Sequence, residues 1–590
     1  MAPILSKFTA LPLFFSLGIC AVYEQLSDLT QTTFDFVIVG GGTSGAVLAN
    51  RLSAQKDYQI LVIEAGPSHK GVQDIQVPFL WRSLIASEYD WNFTTTVEPG
   101  LSGRSISYPR GHVLGGSSST NAMFYTRGSK DDYDRWARIT GDSGWSWDEL
   151  LPYFKKNERW SPPAEPRNTT GQFDPSVHGF NGSTFTSLYS HVQDIDARVI
   201  SAAAELGDGY EYNIDMNSGD SLGTTWYQGT IGDGERSSAA TSYLTDDVLD
   251  RSNLHVVLHT IATRLVASNG SSPDVPAFKQ VELTGNGGQS IVSASKEVIL
   301  SAGAIGSPHI LLNSGIGDSK DLESVGVNPI VDLPSVGKNL TDHPMWNVSF
   351  LANTLETTDN FTTNATLFAQ ALDQWTTDRK GPFTNSVTNN VLWFRLPDNS
   401  SAFEDVPDPS AGPTSPHYEF IIFNGGSTDE PRVSTALVVV SPASRGELKL
   451  GSSNPLDQPL ITTGMFTTPI DMTVAIHAVR SARQFFSAQA WDGYVLGERG
   501  PTAGATTDEE IDAVIRENSI SIWHPVSTAA MSAKDATYGV VDPDLKVKKV
   551  EGLRVVDASI MPIIISAHTQ APAYIIGERA ADLILQEWAA

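Results

Sequence analysis

Apolar and polar positions along this chain fall into a few recurring patterns. Short β-branched runs, Phe36-Val-Ile-Val39, Ile60-Leu-Val-Ile63 and Val298-Ile-Leu300, read as strands buried on both faces. Leu48 and Leu52 recur at helical spacing after Gly40-Gly-Gly-Thr-Ser-Gly45, so a helix is expected to open at those glycines. Residues 146–156 carry a helical period, with Ser146 and Glu149 spaced as a capping box. Ser307-Pro308 offers an N-cap and a first-turn proline for a short helix that Gly315 would stop. Near the C-terminus, Ile576, Ala580, Leu583 and Ile584 form an apolar stripe, with Glu578, Arg579 and Asp582 placed off it. Trp393-Phe394 and Phe420-Ile-Ile-Phe423 read as core strands. Residues 353–415, rich in Thr, Asn, Ser, Asp and Pro, read as long surface loops.

The first of these patterns carries chemistry. In a strand–turn–helix–strand unit, Gly40 permits the tight turn, Gly42 lets a pyrophosphate approach the backbone, and Gly45 lets helix and strand pack closely. Thr43 and Ser44 supply the first helical N–H groups. Glu64, at the end of the second strand and followed by Ala65, is placed to accept from a ribose diol. NAD and FAD share this fingerprint, so these residues alone leave the dinucleotide open.

Size and charge narrow the rest. At 590 residues the chain exceeds what one hydrophobic core normally serves, so two or more domains are expected. A net charge of -28 makes nucleic acid and anionic membrane surfaces unsuitable partners. Lys7, the apolar run Phe8 to Ile19 and the small residues Gly18, Cys20 and Ala21 read as a secretory signal peptide over residues 1–22. Cys20 is the single cysteine, so no disulfide framework is expected. Nine Asn-x-Ser/Thr sequons agree with an extracellular, N-glycosylated protein. No metal-ligand spacing and no G-x-S-x-G elbow occur.

Three further stretches resemble the glucose–methanol–choline (GMC) family of FAD-dependent oxidoreductases, in its aryl-alcohol oxidase and sugar dehydrogenase branch. They are Arg110-Gly-His-Val-Leu-Gly-Gly-Ser-Ser-Ser-Thr-Asn121 with Tyr125-Thr-Arg-Gly128; Gly303 to Gly317 with Gly337-Lys-Asn-Leu-Thr-Asp-His343; and Val556-Asp-Ala-Ser559 running through His568 to Asp582. The resemblance implies an α/β fold in which a Rossmann-like FAD-binding domain (34–119, 236–345 and 530–590) is interleaved with a substrate domain built on an antiparallel sheet with helices (120–235 and 346–529). It implies FAD contacts from Arg110, Val113, Gly115, Gly116, Ser117, Asn121 and Ala122, and from Asp557, Ala558, Thr569 and Gln570. Some relatives attach the flavin through a histidine at the position of Thr120, so non-covalent FAD is expected. His112 stands where a basic residue or Asn is usual, as an ionic stand-in or as an attachment point.

The resemblance also assigns the chemistry. His524, in His524-Pro-Val-Ser-Thr528, matches the base that strips an alcohol's proton, and His568 matches the partner that holds the substrate oxygen. The remaining histidines, His69, His178, His191, His255, His259 and His309 among them, are expected at the surface or in packing. Trp523 precedes the base as an aromatic does in aryl-alcohol oxidases, and Ile520 and Ile522 stand where sugar-specific relatives tend to place polar groups. The expected reaction is oxidation of a primary benzylic or furanic alcohol to its aldehyde, with dioxygen or a quinone as acceptor. A glucose or oligosaccharide dehydrogenase is the alternative, and a cyclase that keeps FAD as scaffold is a second.

Overall fold

A computed structural model describes residues 22–272 and 274–589. The expected signal peptide, and Cys20 with it, lies almost wholly outside them.

Two sheets organise the molecule. The first has eight strands, and its centre is parallel: Leu254–Val257, Ile60–Ile63, Thr33–Val39 and Gly288–Leu300 lie side by side, and Leu553–Val555 pairs parallel with the last of these. All four residues of Ile60–Ile63 are buried, as the unbroken β-branched run requires of a strand covered on both faces. The helix Thr43–Ser53 covers one face and packs against the C-terminal helix Gln570–Trp588. Beyond Gly288–Leu300 the chain doubles back through the antiparallel strands Val275–Gly285 and Thr260–Ser272.

The second sheet has seven strands and is antiparallel throughout. Its order runs Val495–Arg499, Pro344–Ala352, Arg432–Val439, Tyr418–Phe423, Asn390–Phe394 and Gly223–Trp226, with Ile520–Ser521 paired to the start of Pro344–Ala352. Its two faces are sorted by the period of two. Trp346, Val348 and Phe350, with Tyr418, Phe420 and Ile422, pack in one core with the helix Pro469–Phe486. Met345, Asn347, Ile421 and Phe423 face the opposite way, into a cavity between the two sheets.

Four local expectations are corrected. The helix Trp147–Asn157 forms, but Ser146 makes no side-chain cap bond; the Asp134 carboxylate accepts the Trp147 N–H instead, at 3.1 Å. The helix after Val298–Leu300 begins at Gly303, so Ser307 and Pro308 lie in its interior. Pro308 has no N–H for the Ala304 carbonyl, and that acceptor is taken by the Thr528 hydroxyl at 2.6 Å. Residues 353–415 contain a helix, Ala365–Asp378, capped by Asn364; only Ala371 and Trp375 of it are buried, too narrow a stripe to stand out among polar residues. Glu578 points inward rather than out of the last helix. It is fully buried and receives Arg51 at 2.6 Å, Lys156 at 2.9 Å and the Tyr243 hydroxyl at 2.8 Å, while Leu583 is half-buried.

Candidate active site

The cavity has a volume of about 760 Å³ and runs from the Gly40 turn to His524 and His568. Its nucleotide end is built from backbone. Gly40 has φ +105°, and a Cβ there would lie 2.4 Å from the Ser301 carbonyl oxygen. Gly42 caps the helix Thr43–Ser53 without any side-chain bond, so its first N–H groups are left for an anion. Gly116, at φ +54°, would bring a Cβ within 2.8 Å of the Gly42 Cα. Two glycine turns therefore meet across a gap that no side chain would fit. Glu64 accepts from Gly41 N–H at 2.9 Å and Gly66 N–H at 2.8 Å, and burial pushes its carboxyl up to about 7.

Of the residues expected to hold a cofactor, Gly40, Gly42, Thr43, Ser44, Glu64, Ala65, Arg110, Gly116, Ser117, Asn121, Ala122, Asp557, Ala558, Thr569 and Gln570 line the cavity. Three do not, and each has a supporting place. A Cβ on Gly45 would lie 2.0 Å from the Gly40 carbonyl oxygen, one on Gly115 2.2 Å from Ser119 Oγ, and Val113 is buried with Ile75 and Leu84. Asp557 is spent on structure: it accepts from Gly303 N–H at 2.9 Å and from the Ser307 hydroxyl. Asn121 donates to Gln570 Oε1 at 2.8 Å, tying the first stretch to the last helix. Thr120 lines the wall; the His112 ring packs on Trp91 at 4.6 Å, with Nδ1 3.2 Å from the Glu88 carbonyl.

The other end is built from side chains. His524 and His568 stand with ring centroids 4.7 Å apart, at 79°. Trp523, just before His524, has φ +65°, an unfavourable conformation for so bulky a residue. It is over-determined: Ser521 Oγ accepts its N–H at 2.6 Å, and Arg110 Nη2 donates to its carbonyl at 2.5 Å. Arg110, expected to serve the cofactor, thus also fixes the turn that presents His524. Burial, then the neighbouring His568, His343 and Arg110, hold the His524 imidazole well below its ordinary pKa, so it stands neutral. Among the described residues His524 Nε2 has no hydrogen-bond partner, and it opens on the cavity.

Three functional neighbours escaped the sequence reading. Glu419, fully buried on Tyr418–Phe423, has both carboxylate oxygens 3.2 Å from His568 Nε2. His343 places Nδ1 3.1 Å from His524 Nδ1. Asp342 accepts from the backbone N–H of His343 at 2.7 Å, that of His524 at 2.8 Å and the Tyr108 hydroxyl at 2.5 Å. One signal was available for Glu419: a carboxylate inside an otherwise apolar strand needs a partner. His309, expected merely to pack, also lines the cavity, and burial brings it down to about 4.

Comparison with known proteins agrees with this arrangement. The GMC oxidoreductase family models match residues 34–345 and 442–577. Two relatives are each 42% identical: Dehydrogenase eriK of Hericium erinaceus, over 95% of this chain and 96% of that one, and Pyranose dehydrogenase 3 of Leucoagaricus meleagris, over 96% and 95%. Among solved structures, an FAD-dependent oxidoreductase from Chaetomium thermophilum superposes with TM-score 0.84 at 34% identity, covering 94% of this chain and 99% of that one. A fungal aryl-alcohol oxidase gives 0.81 at 29%, with the same coverage. The glycine cradle, the uncapped helix start and Glu64 fit the dinucleotide those relatives imply. The chain belongs to the GMC oxidoreductase family and is an FAD-dependent oxidoreductase acting on CH–OH groups.

Proposed function

We propose that this enzyme oxidises primary aromatic alcohols, benzylic or furanic, to aldehydes, with His524 taking the hydroxyl proton. One observation carries the reading: the cavity that holds the two imidazoles is lined in part by Trp81, Phe124, Ile421, Phe423, Ile522 and Trp523, with Phe124 stacked on His568 and Trp81 in edge contact with Trp523 at 6.2 Å. An aromatic alcohol gains from stacking and dispersion there, whereas each sugar hydroxyl left unpaired costs about 1–3 kcal/mol.

FAD, when bound, supplies the acceptor for the hydride leaving the alcohol carbon. His524 Nε2 takes the proton in the same event, and its depressed pKa keeps the base form present at neutral pH. His568, anchored through Nε2 to Glu419, keeps Nδ1 for the substrate hydroxyl. Dioxygen or a quinone takes the electrons in the second half-reaction. FAD is held non-covalently in this reading, since Thr120 has no ring nitrogen and His112 packs on Trp91. The enzyme acts outside the cell as a glycoprotein, on the strength of its leader-like start and sequons.

A second reading, a pyranose dehydrogenase, is favoured by the 42% identity to that relative and by Asn347, an exposed polar group on the cavity wall. Anaerobic mixing separates the two. The flavin absorbance near ~450 nm is expected to bleach faster with 4-methoxybenzyl alcohol than with glucose. The reverse order would give the site to sugars.

A further inference from the structure

We propose that His343 is a positioning residue that fixes the tautomer of His524, holding its proton on Nδ1 so that Nε2 keeps a lone pair toward the substrate. The inference rests on the reading of His524 as base and deepens it.

Two nitrogens facing each other at 3.1 Å need one proton between them. Which ring owns it is decided at the far edge of His343. That ring is fully buried; with Nδ1 turned to His524 and Nε2 making no full hydrogen bond, the backbone groups that favour a proton on it are the carbonyls of Val440 and Ile565. Carbonyl oxygens accept and never donate, so the stable neutral form of His343 carries its proton on Nε2. Its Nδ1 is then a lone pair, and His524 must supply Nδ1–H. A neutral imidazole protonated at Nδ1 is a base at Nε2, the nitrogen that opens on the cavity.

The frame around the pair is rigid. Pro344 pairs with Ser521 and Met345 with Ile520, which sets His343 and His524 at the end of one antiparallel ladder. Asp342 receives the backbone N–H of both, which ties the two main-chain positions together. Burial brings His343 itself down to about 3, so it remains an acceptor throughout the working range. When His524 gains the substrate proton, its Nδ1–H still has that acceptor. The second imidazole thus supports the neutral and the charged form of the base without moving.

Paired substitutions in the holoenzyme test this. The amide oxygen of His343→Asn falls where Nδ1 was, and that of His343→Gln falls where Nε2 was. If His343 acts through Nδ1, anaerobic flavin reduction by saturating 4-methoxybenzyl alcohol should stay within about tenfold of wild type in His343→Asn and fall about 100-fold in His343→Gln. Substrate affinity should change by less than about twofold in both. A packing role through Nε2 gives the opposite order, and that order, or an unimpaired His343→Gln, overturns the proposal. A second readout needs no turnover. In histidine-15N-labelled wild-type protein, the His524 resonances, assigned by their loss in His524→Ala, should report Nδ1 protonated and Nε2 bare; the reverse tautomer overturns the proposal. Near-normal bleaching in His524→Ala would instead remove the base assignment, whereas a silent His524→Ala beside an unimpaired His343→Gln removes only the role given to His343.

Discussion

The two ends of the cavity are made by different means. At the nucleotide end, recognition is done by main chain: glycines at positions 40, 42 and 116, an uncapped helix start and one carboxylate form a cradle whose shape depends on missing side chains. At the end proposed for the alcohol, the site is instead built from side chains of four separate stretches, His343, Glu419, His524 and His568, around a tryptophan held at φ +65°. Damage at the two ends should therefore look different. The first should lose the cofactor, and the second should keep it and lose the reaction.

The sharpest break is His524→Ala. Loss of a general base slows reaction by about 10²–10⁴-fold, and no residue near Gly40 depends on this imidazole. Flavin content and melting temperature are expected to stay at wild-type values while the anaerobic reduction rate collapses. A variant that also loses its flavin would show the two ends to be coupled.

The same division explains what was legible in the sequence. The strand–glycine–helix unit is contiguous, so Gly40, Gly42, Gly45 and Glu64 announce both a local structure and its use. His524 and His568 were legible only because each lies in a recognisable stretch; nothing in either stretch says that the rings stand 4.7 Å apart. Glu419 stands one residue before the apolar run Phe420-Ile-Ile-Phe423, which reads as a core strand, and that run hides it. The strand is indeed core on one face, but Ile421 and Phe423 on its other face line the cavity, and a period of two puts Glu419 on that same face, against His568. His343 was passed over because its role is a contact across a ladder that pairs residues more than 170 positions apart. Local errors have the same origin. Asp134 replaced Ser146 as a cap and Thr528 repaired the gap left by Pro308, both by tertiary contacts that no window of sequence contains.

At the other end, Gly45→Ala sharpens the contrast with a smaller effect. The added methyl would sit 2.0 Å from the Gly40 carbonyl oxygen and 3.2 Å from Ser301 Cβ, so the helix must move off the turn that faces the pyrophosphate. Overpacking of this kind costs about 1–3 kcal/mol. The variant is expected to melt several degrees lower and to purify with substoichiometric flavin. Any flavin that does load should still bleach with alcohol near the wild-type rate, because the His524 side is untouched. Full loading with a slow reaction would contradict the division.

The mildest test uses pH. Glu64 is placed to accept from ribose hydroxyls, and only its ionised form does so fully; burial has raised that carboxyl to about 7 in the protein without ligand. A proton must then be released for FAD to bind below that pH. Affinity should be flat above pH 7 and should weaken as pH falls, by at most about tenfold per unit, the limit for one linked proton. The alcohol end should show no such dependence. With His524 held well below its usual pKa, the limiting reduction rate of loaded enzyme should remain flat across the same range, since the base is already neutral. Fluorescence titration of apoprotein with FAD between pH 5 and 8 measures the first effect, and stopped-flow bleaching at saturating flavin the second. Glu64→Gln should abolish the pH dependence of binding and leave that of the chemistry as it was. An equal slope in the variant would mean that another group carries the proton and that Glu64 only braces the loop through Gly41 and Gly66.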